Sequence, residues 1–153
     1  MVECVPVKLK IAWIGKTKAP AIRDLTDEYL KRIGRYVEVE GLALPDEDAL
    51  LKLREKSGTR PAHTLLVLDS TGKQMSSEEF ARYLGDYQDR NPQPLVLAIV
   101  PPDGFRAETR KAASGTLSLG RMTLAHELAR VVLLEQVYRA FTILKGHPYH
   151  SGH

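Results

Sequence analysis

Residues 116–150 read TLSLGRMTLAHELARVVLLEQVYRAFTILKGHPYH, and this stretch decides how the rest of the chain is interpreted. A short apolar segment with one glycine leads into a long run dominated by Val, Leu, Ile and Phe, and a tail containing His and Tyr follows. A helix that is apolar around most of its circumference is buried on more than one side. A chain of 153 residues offers a limited core to cover such a helix. We therefore expect a second subunit to contribute to its burial.

The remainder of the chain alternates between strand and helix patterns. The apolar runs at 63–69 and 94–100 have strand length and are typical of strands covered on both faces by helices. The alternation predicts one α/β domain over residues 1–153 with a largely parallel sheet. The STGK segment at 70–73 is predicted as a turn. Strands are predicted at 8–14, 36–44, 63–69, 94–100 and 117–119, and helices at 21–33, 47–56, 77–87, 106–114 and 125–145.

Three loops follow the carboxyl ends of predicted strands, at 69–73, 100–104 and 119–124. Ligands of open parallel sheets bind beyond the carboxyl ends of the strands. The sequence therefore predicts a ligand site where these three loops meet.

Composition limits the function classes. The net charge of +3 permits a polyanionic partner such as RNA but does not require one. No apolar run is long enough to span a membrane, and residues 1–8 lack the pattern of a signal peptide. Cys4 is the only cysteine, so no intrachain disulfide can form. We expect a cytoplasmic protein without a membrane partner.

Several common site motifs are absent from the sequence. No GxGxxG follows a strand, no GxSxG is present, and STGK lacks the preceding glycine of a phosphate-binding loop. His147, His150 and His153 have metal-ligand spacing but lie at the chain end without a neighbouring carboxylate. No metal is expected.

Four segments together resemble a known family. They are LVLDSTGK at 66–73, the PDG turn at 102–104, the pattern LSxxxMTLxHxxxRVVLxEQxYRA at 117–140, and HPYH at 147–150. They are similar to the ribosomal RNA large subunit methyltransferase H family of small SPOUT-class enzymes. The resemblance extends over residues 8–150 and is strongest from residue 117 onward.

The resemblance implies a fold, an activity and partners. The fold is the SPOUT α/β fold, in which the C-terminal segment is threaded to make a deep trefoil knot. The implied activity is methyl transfer from S-adenosylmethionine to the N3 ring nitrogen of a pseudouridine in 23S ribosomal RNA, without a metal. The implied partners are a second copy of the chain, paired through the long helix, and the large-subunit RNA of an assembled ribosome.

The resemblance also implies site residues. Those expected near the active site or the dimer contact include the three candidates for catalysis: Arg130 to anchor a phosphate or the anionic ring edge, Tyr149 to stack on or hydrogen-bond the base, and His150 to accept the proton or hold a phosphate. Cofactor-binding positions fall in the three strand-end loops, at Leu68, Val100, Leu119, Gly120, Arg121, Met122, Thr123 and Leu124.

Other polar residues of the long helix have two interpretations each. His126 is either a structural histidine or one that faces a partner subunit. Glu135 and Arg139 are four residues apart, and an ion pair on the helix surface explains them as well as catalysis does.

One departure from the family pattern concerns the loop after the fourth strand. The family usually has IGGxxG there, whereas this chain has IVPPDG at 99–104. Val100 adds a side chain and Pro101 removes an N–H donor. The alternative function is therefore a non-catalytic, knotted homodimer that binds RNA or the ribosome and has lost cofactor binding.

Overall fold

The computed structural model describes residues 8–149. Strands and helices alternate along the whole of this range. The strands are β1 (Leu9–Ile14), β2 (Val39–Leu44), β3 (Thr64–Gln74), β4 (Leu95–Ala98) and β5 (Gly115–Ser118). The helices are α1 (Pro20–Ile33), α2 (Glu47–Lys52), α3 (Ser77–Arg90), α4 (Ala107–Ala112) and α5 (His126–Lys145).

The five strands form one sheet in the order β2-β1-β4-β3-β5, and every neighbouring pair is parallel. The predicted α/β class and parallel sheet are thus confirmed. Because β3, β4 and β5 are adjacent and parallel, the loops that follow them emerge at one edge of the sheet. The trefoil knot implied by the resemblance stays a prediction.

Successive strand residues face two separate cores, as the two-residue period of a strand requires. One core contains Ile11, Leu66 and Leu97 and is covered by α1, α3 and α5. The other contains Val67, Val96 and Leu50 of α2, with Phe105 before α4. The central strands are buried on both faces, which explains their continuous apolar runs.

The predicted turn at 70–73 is wrong. Residues 70–73 continue β3, with a shift in its register against β5 between Leu68 and Lys73. Gly72 permits this continuation because a Cβ there would lie 2.6 Å from the Thr116 Cγ2 atom. The close approach of β5 therefore holds a Gly-containing segment in a strand, against its local preference for a turn.

Local signals explain the ends of the long helices. Ser76 caps α3 with a reciprocal capping box to Glu79. Gly146 ends α5 with φ of 71°, a conformation that glycine adopts readily. Among the described residues, no helix has the length and apolarity needed to cross a bilayer.

Candidate functional site

The carboxyl ends of β4 and β5, together with residues 68–70 at the register shift of β3, surround a cavity of about 460 Å³. Residues of the predicted loops at 69–73, 100–104 and 119–124 all line it, together with the start of α5, although 69–73 is part of strand β3. The residues that line it are Leu68, Asp69, Ser70, Val100, Pro101, Pro102, Gly104, Arg110, Leu119, Gly120, Met122, Thr123, Leu124, Ala125, His126 and Ala129. The structure thus brings all of the predicted cofactor-binding residues except Arg121 to one cavity.

The loop after β5 presents backbone rather than side chain to this cavity. Ser118 holds the loop, because its Oγ donates to the Gly120 carbonyl at 2.8 Å and accepts from the Gly120 N–H at 3.1 Å. Gly120 has φ of +141° and no atom within 4 Å of where a Cβ would stand. Among residues 8–149, the backbone N–H groups of 121–124 have no hydrogen-bond partner. They are free to donate to a ligand.

The loop after β4 places Val100 at the cavity wall, and its side chain also packs against the core beneath α2. A tight turn follows, in which the Gly104 N–H donates to the Pro101 carbonyl at 2.9 Å. Gly104 adopts φ of 80°, which suits glycine at this position. The IVPPDG segment therefore forms an ordered wall of the cavity with part of Val100 directed into the core.

A pair of opposite charges lies in the cavity wall. Asp69 at the bend of β3 is 8% exposed, and its Oδ2 lies 2.7 Å from the Arg110 Nη2 of α4. The backbone N–H and the hydroxyl of Thr71 both donate to its Oδ1. These contacts, the backbone N–H first, lower the pKa of Asp69 below its ordinary value. Asp69 is therefore ionised at neutral pH.

Arg130 is enclosed in the protein and does not line the cavity. Its side chain is 1% exposed, and its guanidinium carbon lies 3.9 Å from the centroid of the Trp13 ring. Nη1 donates to the hydroxyls of Thr17 at 2.8 Å and Thr26 at 3.3 Å. Burial lowers the pKa of Arg130 from its ordinary value. The predicted contact with an RNA phosphate has no counterpart in this arrangement.

Tyr149 folds back onto the second half of α5. Its hydroxyl donates to Glu135 Oε1 at 3.2 Å, and its ring packs edge-on against Tyr138 at 4.8 Å between centroids. Burial first and the Glu135 charge second raise the pKa of Tyr149 to about 12. The ion pair predicted between Glu135 and Arg139 is present, with an Nη2–Oε1 distance of 2.5 Å. His150 lies outside the described residues.

The helix α5 separates this tail cluster from the cavity. His126 begins the helix at the cavity wall, and Glu135 lies nine residues further along. At about 1.5 Å per residue, the two positions are roughly 13 Å apart along the axis. Within one chain, Tyr149 therefore does not meet the cavity.

Two of the charged residues at the cavity had no assigned role from the sequence. Asp69 is the last residue of the strand predicted at 63–69, a position that is compatible with a site but assigns no role. Arg110 lies in a short charged helix whose pattern gives no indication of a site. Among the described residues, no group of three His, Cys, Asp or Glu side chains is placed to hold a metal ion.

A family model described as "Predicted SPOUT methyltransferase" matches residues 7–150. The chain belongs to the SPOUT methyltransferase family. This membership confirms the family resemblance that the motifs carry. It also agrees with the parallel α/β sheet and with a cavity at the carboxyl ends of β4 and β5.

Relatives within the SPOUT family are similar over nearly their full length. The chain is 57% identical over 147 residues to the ribosomal RNA large subunit methyltransferase H of Koribacter versatilis, covering 96% of this chain and 100% of that protein. It is 43% identical over 152 residues to the protein of the same name from Geotalea daltonii, covering 94% and 99%.

Solved structures share the SPOUT architecture at low sequence identity. A probable methylase family protein from Haemophilus influenzae has a TM-score of 0.60 at 8% identity, covering 94% of this chain and 70% of that one. The SpoU methyltransferase AviRb from Streptomyces viridochromogenes, in complex with AdoMet, has a TM-score of 0.52 at 14% identity, covering 89% and 59%. These similarities concern the fold alone.

Proposed function

We propose that this protein transfers a methyl group from S-adenosylmethionine to the N3 ring nitrogen of a pseudouridine in the 23S RNA of the large ribosomal subunit. The observation that carries the proposal is the cavity formed by residues 68–70 of β3 and by the loops after β4 and β5. The names of the two full-length relatives support ribosomal RNA as the acceptor.

The cavity suits an adenosine-containing ligand. Its volume lies within the range of about 300–1,000 Å³ that small-molecule sites occupy. Leu68, Leu119 and Leu124 offer apolar surface for a purine ring. The unpartnered backbone N–H groups of 121–124 suit the acceptor nitrogens of adenine without a charged side chain.

The Val100-Pro101 departure is compatible with this proposal. Because Val100 packs partly against the core below α2, its side chain does not close the cavity. Pro101 lacks an N–H, so ligand recognition in this chain falls to the loop after β5. This arrangement favours the enzyme over the non-catalytic alternative.

The reaction requires alignment of the methyl donor with the acceptor and removal of the proton on N3. Bound S-adenosylmethionine supplies a methyl group on a sulfonium centre. The cavity wall holds donor and acceptor in line, and such positioning contributes up to about 7–11 kcal/mol. The N3 atom of the acceptor carries a proton that a neighbouring group must take or stabilise as it leaves.

The proposed catalytic residues divide these tasks. Tyr149 holds its own proton at neutral pH because its pKa is about 12, so it acts as a hydrogen-bond donor or stacking surface and not as the base. Proton acceptance then falls to His150. Arg130 fixes the start of α5 to Thr17 before α1 and so holds His126 and Ala129 at the cavity wall. It is a positioning residue in this proposal.

A second copy of the chain completes the proposed site. The tail that carries Tyr149 lies roughly 13 Å along α5 from the cavity of its own chain. Leu124, which is exposed, lines the cavity, and the exposed apolar side chains of Leu128 and Val132 follow it on α5. A homodimer that buries them brings a partner's residues to the cavity, which supports the proposed meeting of tail and base.

The test uses ribosomes from a strain that lacks this gene. Purified protein and S-adenosylmethionine are added to them, and the large-subunit RNA is digested and analysed by mass spectrometry. We expect one added methyl group on one pseudouridine, together with calorimetric binding of S-adenosylmethionine to the protein alone.

Two outcomes contradict the proposal. The absence of binding at millimolar S-adenosylmethionine supports the alternative, a non-catalytic protein that binds RNA or the ribosome. Methylation of another base or another RNA refutes the proposed acceptor while leaving the transferase activity in place.

A further inference from the structure

Asp69 and Arg110 are the two fully charged side chains in the wall of the cavity. One lies at the bend of β3 and the other on α4, with 2.7 Å between the Asp69 Oδ2 and the Arg110 Nη2 atoms. The other lining residues are apolar or uncharged, apart from His126. A cavity that is otherwise neutral thus has a positive and a negative group side by side.

The two groups differ in how firmly they are held. Asp69 is 8% exposed and is fixed by both Thr71 donors on its Oδ1. A carboxylate has about four acceptor positions, so Oδ2 retains capacity beside its contact with Arg110. Asp69 therefore provides a rigid negative group at the wall.

Arg110 is 48% exposed, and among residues 8–149 its ion pair joins Nη2 to the Asp69 Oδ2 atom. The N–H groups on Nε and Nη1 remain available for a second carboxylate. An ion pair that only joined α4 to β3 would need neither the open donors nor a position in the cavity wall.

We propose that Asp69 and Arg110 together bind the amino-acid end of the methyl donor, with Arg110 on its α-carboxylate and Asp69 on its α-ammonium group. An α-amino acid end carries one charge of each sign on neighbouring atoms, which matches the order of charges in the wall. The inference rests on the proposed function, because it assigns residues to the same ligand.

The test compares two ligands that differ in this end. S-adenosylhomocysteine keeps the amino-acid end and transfers no methyl group, whereas 5′-methylthioadenosine keeps the adenosine and the thioether but lacks the amino acid. Both are titrated by calorimetry into the full chain, into Arg110→Gln and into Arg110→Lys. Lys111→Gln is the matched control, since it removes a neighbouring charge of α4 that does not line the cavity.

We expect Arg110→Gln to lower the affinity for S-adenosylhomocysteine by roughly 10-fold or more, because one charge-assisted contact is lost. The affinity for 5′-methylthioadenosine should fall by less than about 2-fold. Arg110→Lys keeps the charge but loses the planar fork, so its effect should be intermediate. Lys111→Gln should change the affinity for neither ligand. The split between the two ligands is a readout that a purely structural ion pair would not produce.

Two results overturn the inference. Equal weakening of both ligands by Arg110→Gln, or no weakening of either, refutes the assignment and leaves the proposed function standing. If the wild-type protein binds neither ligand at millimolar concentration, the proposed function fails first and the inference fails with it.

Discussion

Arg130 is the residue for which environment and predicted role differ most. It is a cation in the interior, stacked on Trp13 and bonded to two threonine hydroxyls, and within residues 8–149 no carboxylate forms an ion pair with it. Removal of a guanidinium from water is costly unless its surroundings replace the hydration. Here an aromatic face and two hydroxyls provide part of that replacement, whereas Nε is buried without a hydrogen-bond partner among the described residues.

Substitution of Arg130 separates packing from charge. Arg130→Ala should lower the free energy of unfolding by about 3 kcal/mol, because it leaves a cavity against Trp13. Arg130→Met keeps most of the volume without the buried charge, and should cost about 1 kcal/mol or less. Urea denaturation measures both values.

Equal losses of stability in the two variants would contradict this packing role. A second measurement tests the function of the residue. If Arg130→Met is as stable as the wild type and binds S-adenosylmethionine but does not methylate RNA, the result supports the predicted role of Arg130 as an RNA anchor.

Tyr149 gives a prediction for stability at high pH. Its pKa is about 12 in the folded protein, against 10.0 for an ordinary tyrosine. Below pH 10 both the folded and the unfolded states hold the proton, so the tyrosine makes its full contribution. Between pH 10 and 12 the unfolded state loses the proton first, which favours unfolding. The stability difference between wild type and Tyr149→Phe should be constant to about pH 9 and shift against the wild type above pH 10.

Thermal unfolding of both proteins at pH 7, 9 and 10.5 measures this shift. The difference between wild type and Tyr149→Phe isolates Tyr149, because the other tyrosines are present in both proteins. A difference that stays constant through pH 10.5 would show that Tyr149 is not held as described.

At the scale of elements, the loop after β5 depends on Gly120. Its φ of +141° is a conformation that side chains with a Cβ rarely adopt, and the space beside it is open. Gly120→Val should abolish binding of S-adenosylmethionine, because it distorts the loop and fills the cavity wall, and it should leave the proposed dimer intact. Calorimetry and light scattering measure the two properties.

Gly58→Val is the matched control for this loop. Gly58 also has a positive φ, +57°, and nothing within 4 Å of an added Cβ, but it lies in a turn outside the cavity wall. It should bear similar backbone strain and leave ligand binding unchanged. Retained binding in Gly120→Val would refute the proposed role of the loop.

The sequence predicts the order of elements and the meeting of the segments at 69–73, 100–104 and 119–124, for a physical reason. Parallel strands place their carboxyl ends at one edge of the sheet, so a pattern that identifies the strands also identifies the site. The strand at 70–73 could not be predicted in this way. Its conformation depends on β5 pairing with it after a register shift, and the contact joins Gly72 to Thr116.

The surroundings of Arg130 were also beyond prediction from local pattern. Thr17 and Trp13 are more than a hundred positions away in the chain, and no local signal links them to α5. The same holds for Arg110, whose partner Asp69 lies on a different element. Patterns of hydrophobicity locate a cavity, whereas the partners of its polar side chains come from tertiary contacts.

At the scale of the whole molecule, α5 has a buried face and an uncovered apolar face. Leu133, Leu134 and Val137 are fully buried in the core, whereas Leu128 is 52% exposed and Val132, one turn later, is 37% exposed. Met122 in the preceding loop is 86% exposed. An apolar strip that runs from the cavity along a helix is typical of a surface that another protein covers. The prediction of a second subunit on α5 therefore gains a specific contact surface.

The double substitution Leu128→Glu with Val132→Glu tests that surface. Two carboxylates cannot be buried unpaired against a second copy, so we expect a folded monomer. Light scattering measures the mass, and circular dichroism verifies the fold. Leu144→Glu is the control, since Leu144 is 40% exposed at the opposite end of the same helix.

If the cavity needs residues from the partner's tail, the monomer should bind S-adenosylhomocysteine but transfer no methyl group to RNA. A double variant that remains dimeric refutes the contact surface, and a monomer that methylates RNA at the wild-type rate refutes a site shared between subunits.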